Sequence, residues 1–235
     1  MLELKNISYK VTQNNQEIMI LDNVSCTFED DSIVAITGHN GSGKSTLTKI
    51  IMGILTPSSG EIFFNSQNIT NLTIDERANL GLNYAFQQPV LFRGLTVKDL
   101  IDIATGENNS VPKACEYLSK VGLCAKEYVN REFNKTLSGG EQKRIELALA
   151  LAKNGSCLIF DEPEAGIDLW SFDKLNSLFE KGKSYIVVSH QERLLNRADK
   201  ILVMKNGKID QFGSSKTILN RLSPTECVRI KKHFL

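Results

Sequence analysis

The sequence predicts an α/β fold, and three observations predict it. Short apolar runs of strand character recur along the chain and alternate with helical patterns, as in a largely parallel sheet covered by helices. One such run, Ile33-Val34-Ala35-Ile36, leads through a glycine-rich loop directly into a helical pattern. Residues 89–154 show helical patterns and read as an insertion between two strand-bearing halves. The composition suits a packed core, with 41% hydrophobic and 23% charged residues among 235.

Taken in order, residues 2–11 and 18–28 are rich in β-branched and apolar side chains and are separated by the polar turn Gln13-Asn14-Asn15-Gln16. Asp30-Asp31 form a second turn before the apolar run at 33–36, whose unbroken hydrophobicity suits a strand buried on both faces. A helical pattern covers 44–54 and is stopped by Thr56-Pro57-Ser58-Ser59-Gly60. Helices are expected over 97–104, 111–121 and 139–153, the last ending at Asn154-Gly155. Strands return at 157–160, 185–188 and 201–204, the final one entering a hairpin at Lys205-Asn206-Gly207-Lys208. Leu169, Phe172 and Phe179 share one face of a helix capped by Asp168. Residues 224–235 suit a solvated amphipathic helix.

Charge and cysteine usage narrow the class. The 28 basic and 27 acidic residues nearly cancel, which argues against a protein held on nucleic acid by phosphate neutralisation. No run approaches the roughly 20 apolar residues that cross a bilayer, so no direct membrane insertion is expected. The start, Met1 to Asn6, carries charge from Glu3 and has no apolar signal core. Cys26, Cys115, Cys124, Cys157 and Cys227 form no C-x-x-C pair, which fits reduced thiols and a cytoplasmic location.

The chemistry is concentrated in three motifs. Gly38-His39-Asn40-Gly41-Ser42-Gly43-Lys44-Ser45-Thr46 satisfies the phosphate-loop pattern G-x-x-x-x-G-K-S, and it lies after a buried strand and before a helix. Glycines let the backbone wrap a polyphosphate with its N–H groups inward, and the helix N-terminus adds partial positive charge. Lys44 would reach the β- and γ-phosphates and the Ser45 hydroxyl would bind Mg²⁺. In Leu158-Ile159-Phe160-Asp161-Glu162 an apolar strand ends in two carboxylates: Asp161 suits the metal side, and Glu162 suits polarisation of an attacking water. Alone, such a pair is usually a strand leaving the core; beside a phosphate loop it gains meaning. In Leu137-Ser138-Gly139-Gly140-Glu141-Gln142, Ser138 and Glu141 form a capping box, and the two glycines leave the first-turn N–H groups open to a second anion.

This last hexapeptide is the signature of the ATP-binding-cassette (ABC) superfamily, and the chain resembles that family in motif order over nearly its whole length. Gln87 in Tyr84-Ala85-Phe86-Gln87-Gln88-Pro89 matches the Q-loop glutamine, His190 after Val187-Val188-Ser189 matches the switch histidine, and Asp168 matches the D-loop aspartate. The resemblance implies a P-loop NTPase fold of ABC type, with a RecA-like core, an antiparallel β subdomain and an inserted helical subdomain. The expected division is 1–88, 89–154 and 155–235. It also implies ATP hydrolysis with Mg²⁺ in a nucleotide-sandwich homodimer. Glu162, His190, Lys44 and Gln87 would be catalytic, and Ser45, Gln87 and Asp161 would hold the metal. ATP would contact the loop from Gly38 to Thr46 and, from the other copy, Ser138, Gly139, Gly140, Glu141 and Asp168. The adenine-stacking position of the family falls at Val11, with Tyr9 read as a packing residue. Asp31 replaces a glycine common in the family and tolerates the left-handed conformation it requires.

Within the superfamily, residues 75–89 resemble the "ERA-x-x-G-(x)4-FQ-x-P" segment of SufC, the ATPase of SUF iron–sulfur cluster assembly. Residues 130–141 and His190-Gln191-Glu192-Arg193-Leu194-Leu195 resemble further SufC stretches. That resemblance implies a SufB/SufD-type scaffold partner docked near the Q-loop and residues 91–103. The alternative is the ATP-binding subunit of a membrane transporter acting on separate permease subunits; Pro163 matches the transporter ATPases better.

Overall fold

The computed structural model describes residues 1–108, 111–165 and 178–221. They build two sheets. The first, in order β2-β1-β4-β5, is antiparallel and comprises β1 (Leu2–Gln13), β2 (Gln16–Phe28), β4 (Ser59–Phe64) and β5 (Gln67–Asn68). The second runs β10-β9-β3-β8-β7-β6, with β3 (Ile33–Gly38) near its centre between β8 (Ser184–Val188) and β9 (Lys200–Lys205). Both neighbours are parallel to β3, as are β6 (Leu82–Ala85) to β7 (Cys157–Asp161) and β7 to β8. Only β10 (Lys208–Ser214) is antiparallel, joined to β9 by the Asn206-Gly207 turn.

Local chemistry accounts for the boundaries. The β1–β2 hairpin closes on Asn14 and Asn15, both left-handed at φ 50° and 59°, so pairing persists to Gln13–Gln16 and the turn is two residues rather than four. Asp31 is left-handed at φ 50°, as its replacement of glycine requires. Helix α1 (Lys44–Met52) stops at Gly53, φ 82°, ahead of the expected end at Ile54. The Gly53 and Ile54 N–H groups bond back to Ile50 and Lys49, leaving no role for residues 56–60 in ending the helix.

The middle of the chain supplies α3 (Val97–Thr105), α4 (Val111–Lys120), a short α5 (Ala125–Tyr128) and α6 (Gly139–Ala152). Their apolar faces pack with Leu158, Phe160, Tyr185 and Val187 into one core. The intervening residues Ile159, Ile186 and Val188 point to the opposite core, against α1 and the antiparallel sheet. Side-chain alternation on strands buried on both faces thus produces the continuous apolar runs seen in the sequence. The remaining helices, α2 (Ile74–Asn79), α7 (Glu192–Arg197) and α8 (Ser215–Arg221), were not signalled by periodicity, nor were β4 to β6. The expected helix over 169–179 and the segment 224–235 with Cys227 lie largely or wholly outside the described residues.

Candidate active site

The parallel strands β3, β6, β7 and β8 deliver the candidate site residues at or just beyond their carboxyl ends, where ligands bind in open α/β sheets. At the end of β3, Gly38 is at φ 138°, and a Cβ there would lie 2.1 Å from the Met204 carbonyl oxygen; only glycine lets β3 and β9 close at this point. The loop then turns through Gly41 and Gly43 at φ 80° and 98°, and a Cβ at Gly41 would meet nothing within 4 Å. His39, Asn40 and Gly41 are exposed. Lys44 is buried and donates from Nζ to the Gly38 and His39 carbonyls at 2.8 and 2.9 Å. Burial lowers its pKa, against the pull of Glu162 and Asp161. The buried Ser42 Oγ has no hydrogen-bond partner. An open glycine cradle with an orphaned hydroxyl and one lysine is chemically suited to a polyphosphate.

Beside it, Ser45 Oγ donates to Asp161 Oδ1 at 3.1 Å, and the Tyr84 hydroxyl donates to Asp161 Oδ2 at 2.9 Å. Burial raises the Asp161 carboxyl and the Tyr84 phenol. Among the described residues no group of three or more His, Cys, Asp or Glu side chains forms a metal cage. One carboxylate and one hydroxyl side by side instead fit a hard cation that shares its coordination with phosphate and water, which is the habit of Mg²⁺.

Glu162 follows β7 in a left-handed conformation, φ 48°, with its N–H on the Val188 carbonyl at 3.0 Å. A non-glycine residue held there is strained backbone fixed by its surroundings. Its carboxylate accepts from Gln87 Nε2 at 2.8 Å. His190, just beyond β8, has a buried Nε2 without a partner; burial first, then the nearby Lys44, push its pKa down, so the ring is neutral at pH 7. Lys44, Ser45, Asp161, Gln87, Glu162 and His190 therefore face one place.

The signature residues are elsewhere in their bonding. Ser138 caps α6: its Oγ accepts from Glu141 N–H at 3.3 Å, and Glu141 Oε2 accepts from Ser138 N–H at 2.6 Å. Glu141 also accepts from the Tyr128 hydroxyl, and that bond, with those of Ser138, holds its carboxyl at about 2. The carboxylate thus shapes the loop from within its own chain. A Cβ at Gly139 would meet nothing within 4 Å, so its surface is open. Val11 is half-buried opposite Ile18, and Tyr9 packs against the core. Asp168 lies outside the described residues.

A family model described as ABC transporter matches residues 21–165. The chain belongs to that family. An uncharacterized ABC transporter ATP-binding protein of Methanocaldococcus jannaschii is 37% identical over 227 residues, covering 92% of this chain and 90% of the relative. The energy-coupling factor transporter ATP-binding protein EcfA1 of Ureaplasma parvum is 34% identical, covering 92% and 75%. A solved ATP-binding cassette, captured as a dimer in a post-hydrolysis state bound to ADP and Pi, superposes with a TM-score of 0.83 at 26% identity, covering 92% of this chain and 99% of that one. The fold is the P-loop NTPase fold of the ABC type, and the chain is an ATPase domain.

This ABC ATPase contains site-adjacent groups that sequence reasoning missed. Lys143, 1% exposed, donates from Nζ to the Phe86 carbonyl, to Glu146 Oε2 at 3.2 Å and to the Asp161 carbonyl at 3.3 Å. Glu146 Oε1 accepts from the Phe86 N–H at 2.8 Å. Both backbone polar groups of the residue before Gln87 are therefore gripped by one ion pair on α6. The signal was present as an acid and a base at i and i+3 on a helix that is otherwise apolar inward. Glu164, accepting from Ser189 beside His190, likewise went unread.

Proposed function

We propose that two copies of this ABC ATPase close around two MgATP molecules and pass that closure to separate partner subunits. The convergence of Lys44, Asp161, the Gln87–Glu162 contact and neutral His190 at the ends of β3, β7 and β8 carries the reading. Lys44 exchanges the Gly38 and His39 carbonyls for phosphate oxygens, and the orphaned Ser42 Oγ gains an acceptor. Ser45, Asp161 and Gln87 would hold Mg²⁺, which would supply charge neutralisation of the polyphosphate. Glu162 takes the proton of the attacking water while Gln87 fixes its carboxylate. His190 donates a hydrogen bond to the γ-phosphate. Ser138, Gly139 and Gly140 of the second copy present N–H groups to the same phosphate, and Asp168 lies at the contact.

The names of the relatives support a transporter, so the partners are permease subunits, bound at the cytoplasmic side of the membrane. No helix of the described residues is long and apolar enough to cross it. A SUF-type assembly scaffold is the second reading, favoured by residues 75–89. Arg77 of that segment is consumed internally: it is 1% exposed and donates to the carbonyls of Ile50, Ile51, Leu72 and Thr70. Its presence therefore informs on folding and not on a partner. Tagged protein purified from its native cell in detergent decides: integral membrane subunits are expected, and recovery of a soluble scaffold without them overturns the transporter reading.

A further inference from the structure

We propose that Tyr84 is a positioning residue for the metal-side carboxylate, holding Asp161 with one oxygen facing Ser45. The inference rests on the MgATP reading above. Tyr84 lies on β6, beside β7 in parallel register with Ile159, and its ring packs edge-on to Phe86 with centroids 4.8 Å apart. From there the hydroxyl spans to Asp161 Oδ2 at 2.9 Å and to Thr48 Oγ1 of α1 at 3.2 Å. The phenol has a single proton, and the carboxylate is the stronger acceptor. Thr48 then supplies its own proton to the phenol oxygen, in competition with the Ser45 carbonyl at 3.1 Å.

The consequence is geometric. Asp161 is 1% exposed, so solvent cannot satisfy its oxygens. Ser45 takes Oδ1 and Tyr84 takes Oδ2, so rotation of the carboxylate plane breaks both bonds. Outer hydrogen-bond partners of this kind orient metal ligands, and their removal typically lowers metal affinity about 10–100-fold.

Tyr84→Phe removes the hydroxyl and keeps the ring on Phe86. ADP binding to the full chain, followed by calorimetry in EDTA and across a Mg²⁺ titration, separates the roles. Expected are metal-free ADP affinity within about twofold of the unmodified chain and a Mg²⁺ half-saturation raised at least about tenfold. Thr48→Val, which removes the phenol's second partner along with the bond to the Ser45 carbonyl, should raise it less and gives an independent measure should Tyr84→Phe fold poorly. Mg²⁺ half-saturation unchanged in both variants overturns the inference. So does an equal loss of affinity with and without Mg²⁺, which is the mark of a merely structural residue. Failure of the unmodified chain to bind ADP at all would instead overturn the nucleotide reading itself.

Discussion

Gln87 Nε2 donates to Glu162 Oε2 at 2.8 Å, so an exposed loop after β6 and the strained end of β7 are joined through their side chains. The amide fixes the carboxylate that must face the attacking water, and replacing either side chain has a different signature. Glu162→Gln removes the proton acceptor and keeps the amide-to-amide contact. Phosphate release should fall by about 10²-fold or more, with ATP affinity retained and an ATP-dependent dimer visible by size exclusion. Undiminished release would remove Glu162 from its role.

Gln87→Ala leaves Glu162 in place and frees its rotamer. The expected result is a kcat lowered about tenfold, less than the roughly 10²–10⁴-fold lost with a general base itself, with little change in KM for ATP. A change confined to KM would mean that Gln87 acts on nucleotide binding alone.

Lys143 and Glu146 test how the Q-loop is held. Lys143→Met leaves Glu146, whose carboxyl burial already raises, without its cation and leaves the Phe86 carbonyl without its donor. Breaking a buried pair from one side costs about 3–5 kcal/mol. The double variant Lys143→Met with Glu146→Leu should recover much of that loss in urea unfolding, because a buried pair adds little over apolar packing of similar volume. Hydrolysis should nevertheless stay low in the double variant, since the backbone before Gln87 is then untethered.

What the sequence made legible follows from how local each signal is. The phosphate loop, the capping box at Ser138 and Glu141, and the apolar run ending in Asp161 and Glu162 are contiguous motifs whose geometry is set within a few residues. The same holds for the Asn206-Gly207 turn. Contacts between residues distant in sequence were not legible. Tyr84 and Asp161 are adjacent only because β6 pairs with β7, and Lys143 reaches Phe86 only because α6 lies across the end of that strand. β4 and β5 carry few residues and turn on Asn65 and Ser66, a weak signal beside the Thr-Pro-Ser-Ser-Gly cluster that precedes them. Arg77 shows the cost of reading motif resemblance as partner recognition: a residue that looks diagnostic in sequence is a buried brace for the ends of α1 and α2.

That brace is itself testable. Arg77 sends Nη1 to Ile50 and Ile51 at 2.7 Å each, Nη2 to Thr70 at 2.8 Å and Nε to Leu72 at 3.1 Å. Lysine keeps the charge and cannot reproduce the planar fork. Arg77→Lys should therefore destabilise the chain by about 1–3 kcal/mol or more, the cost of orphaned buried groups, read as a lower urea midpoint. Partner binding by the folded fraction should not change, and a selective loss of partner binding at full stability would return Arg77 to an interface role.

Glu164 makes the stability of the chain depend on pH with a definite sign. Burial raises its carboxyl above the usual range, Ser189 and backbone bonds oppose that, and nearby Glu162 adds to it. Oε2 has no hydrogen-bond partner. A carboxyl whose folded pKa lies above its unfolded value binds its proton more tightly in the native state. Its contribution to stability is complete below the unfolded pKa, about 4.3 for glutamate, and is lost as pH rises through the folded value. At pH 8 the ionised, half-satisfied carboxylate is a net cost. Glu164→Gln removes the charge and keeps an acceptor for the Ser189 hydroxyl, so its melting temperature should exceed that of the unmodified chain at pH 8. An excess of roughly 2–4 °C corresponds to about 1 kcal/mol in a chain of this size. The excess should shrink as pH falls, because Glu164 then takes up the proton that glutamine makes unnecessary. His190 acts oppositely: its lowered pKa costs stability as pH drops below about 6.5. A difference independent of pH between 5 and 8 would assign the gain to packing and not to the buried charge.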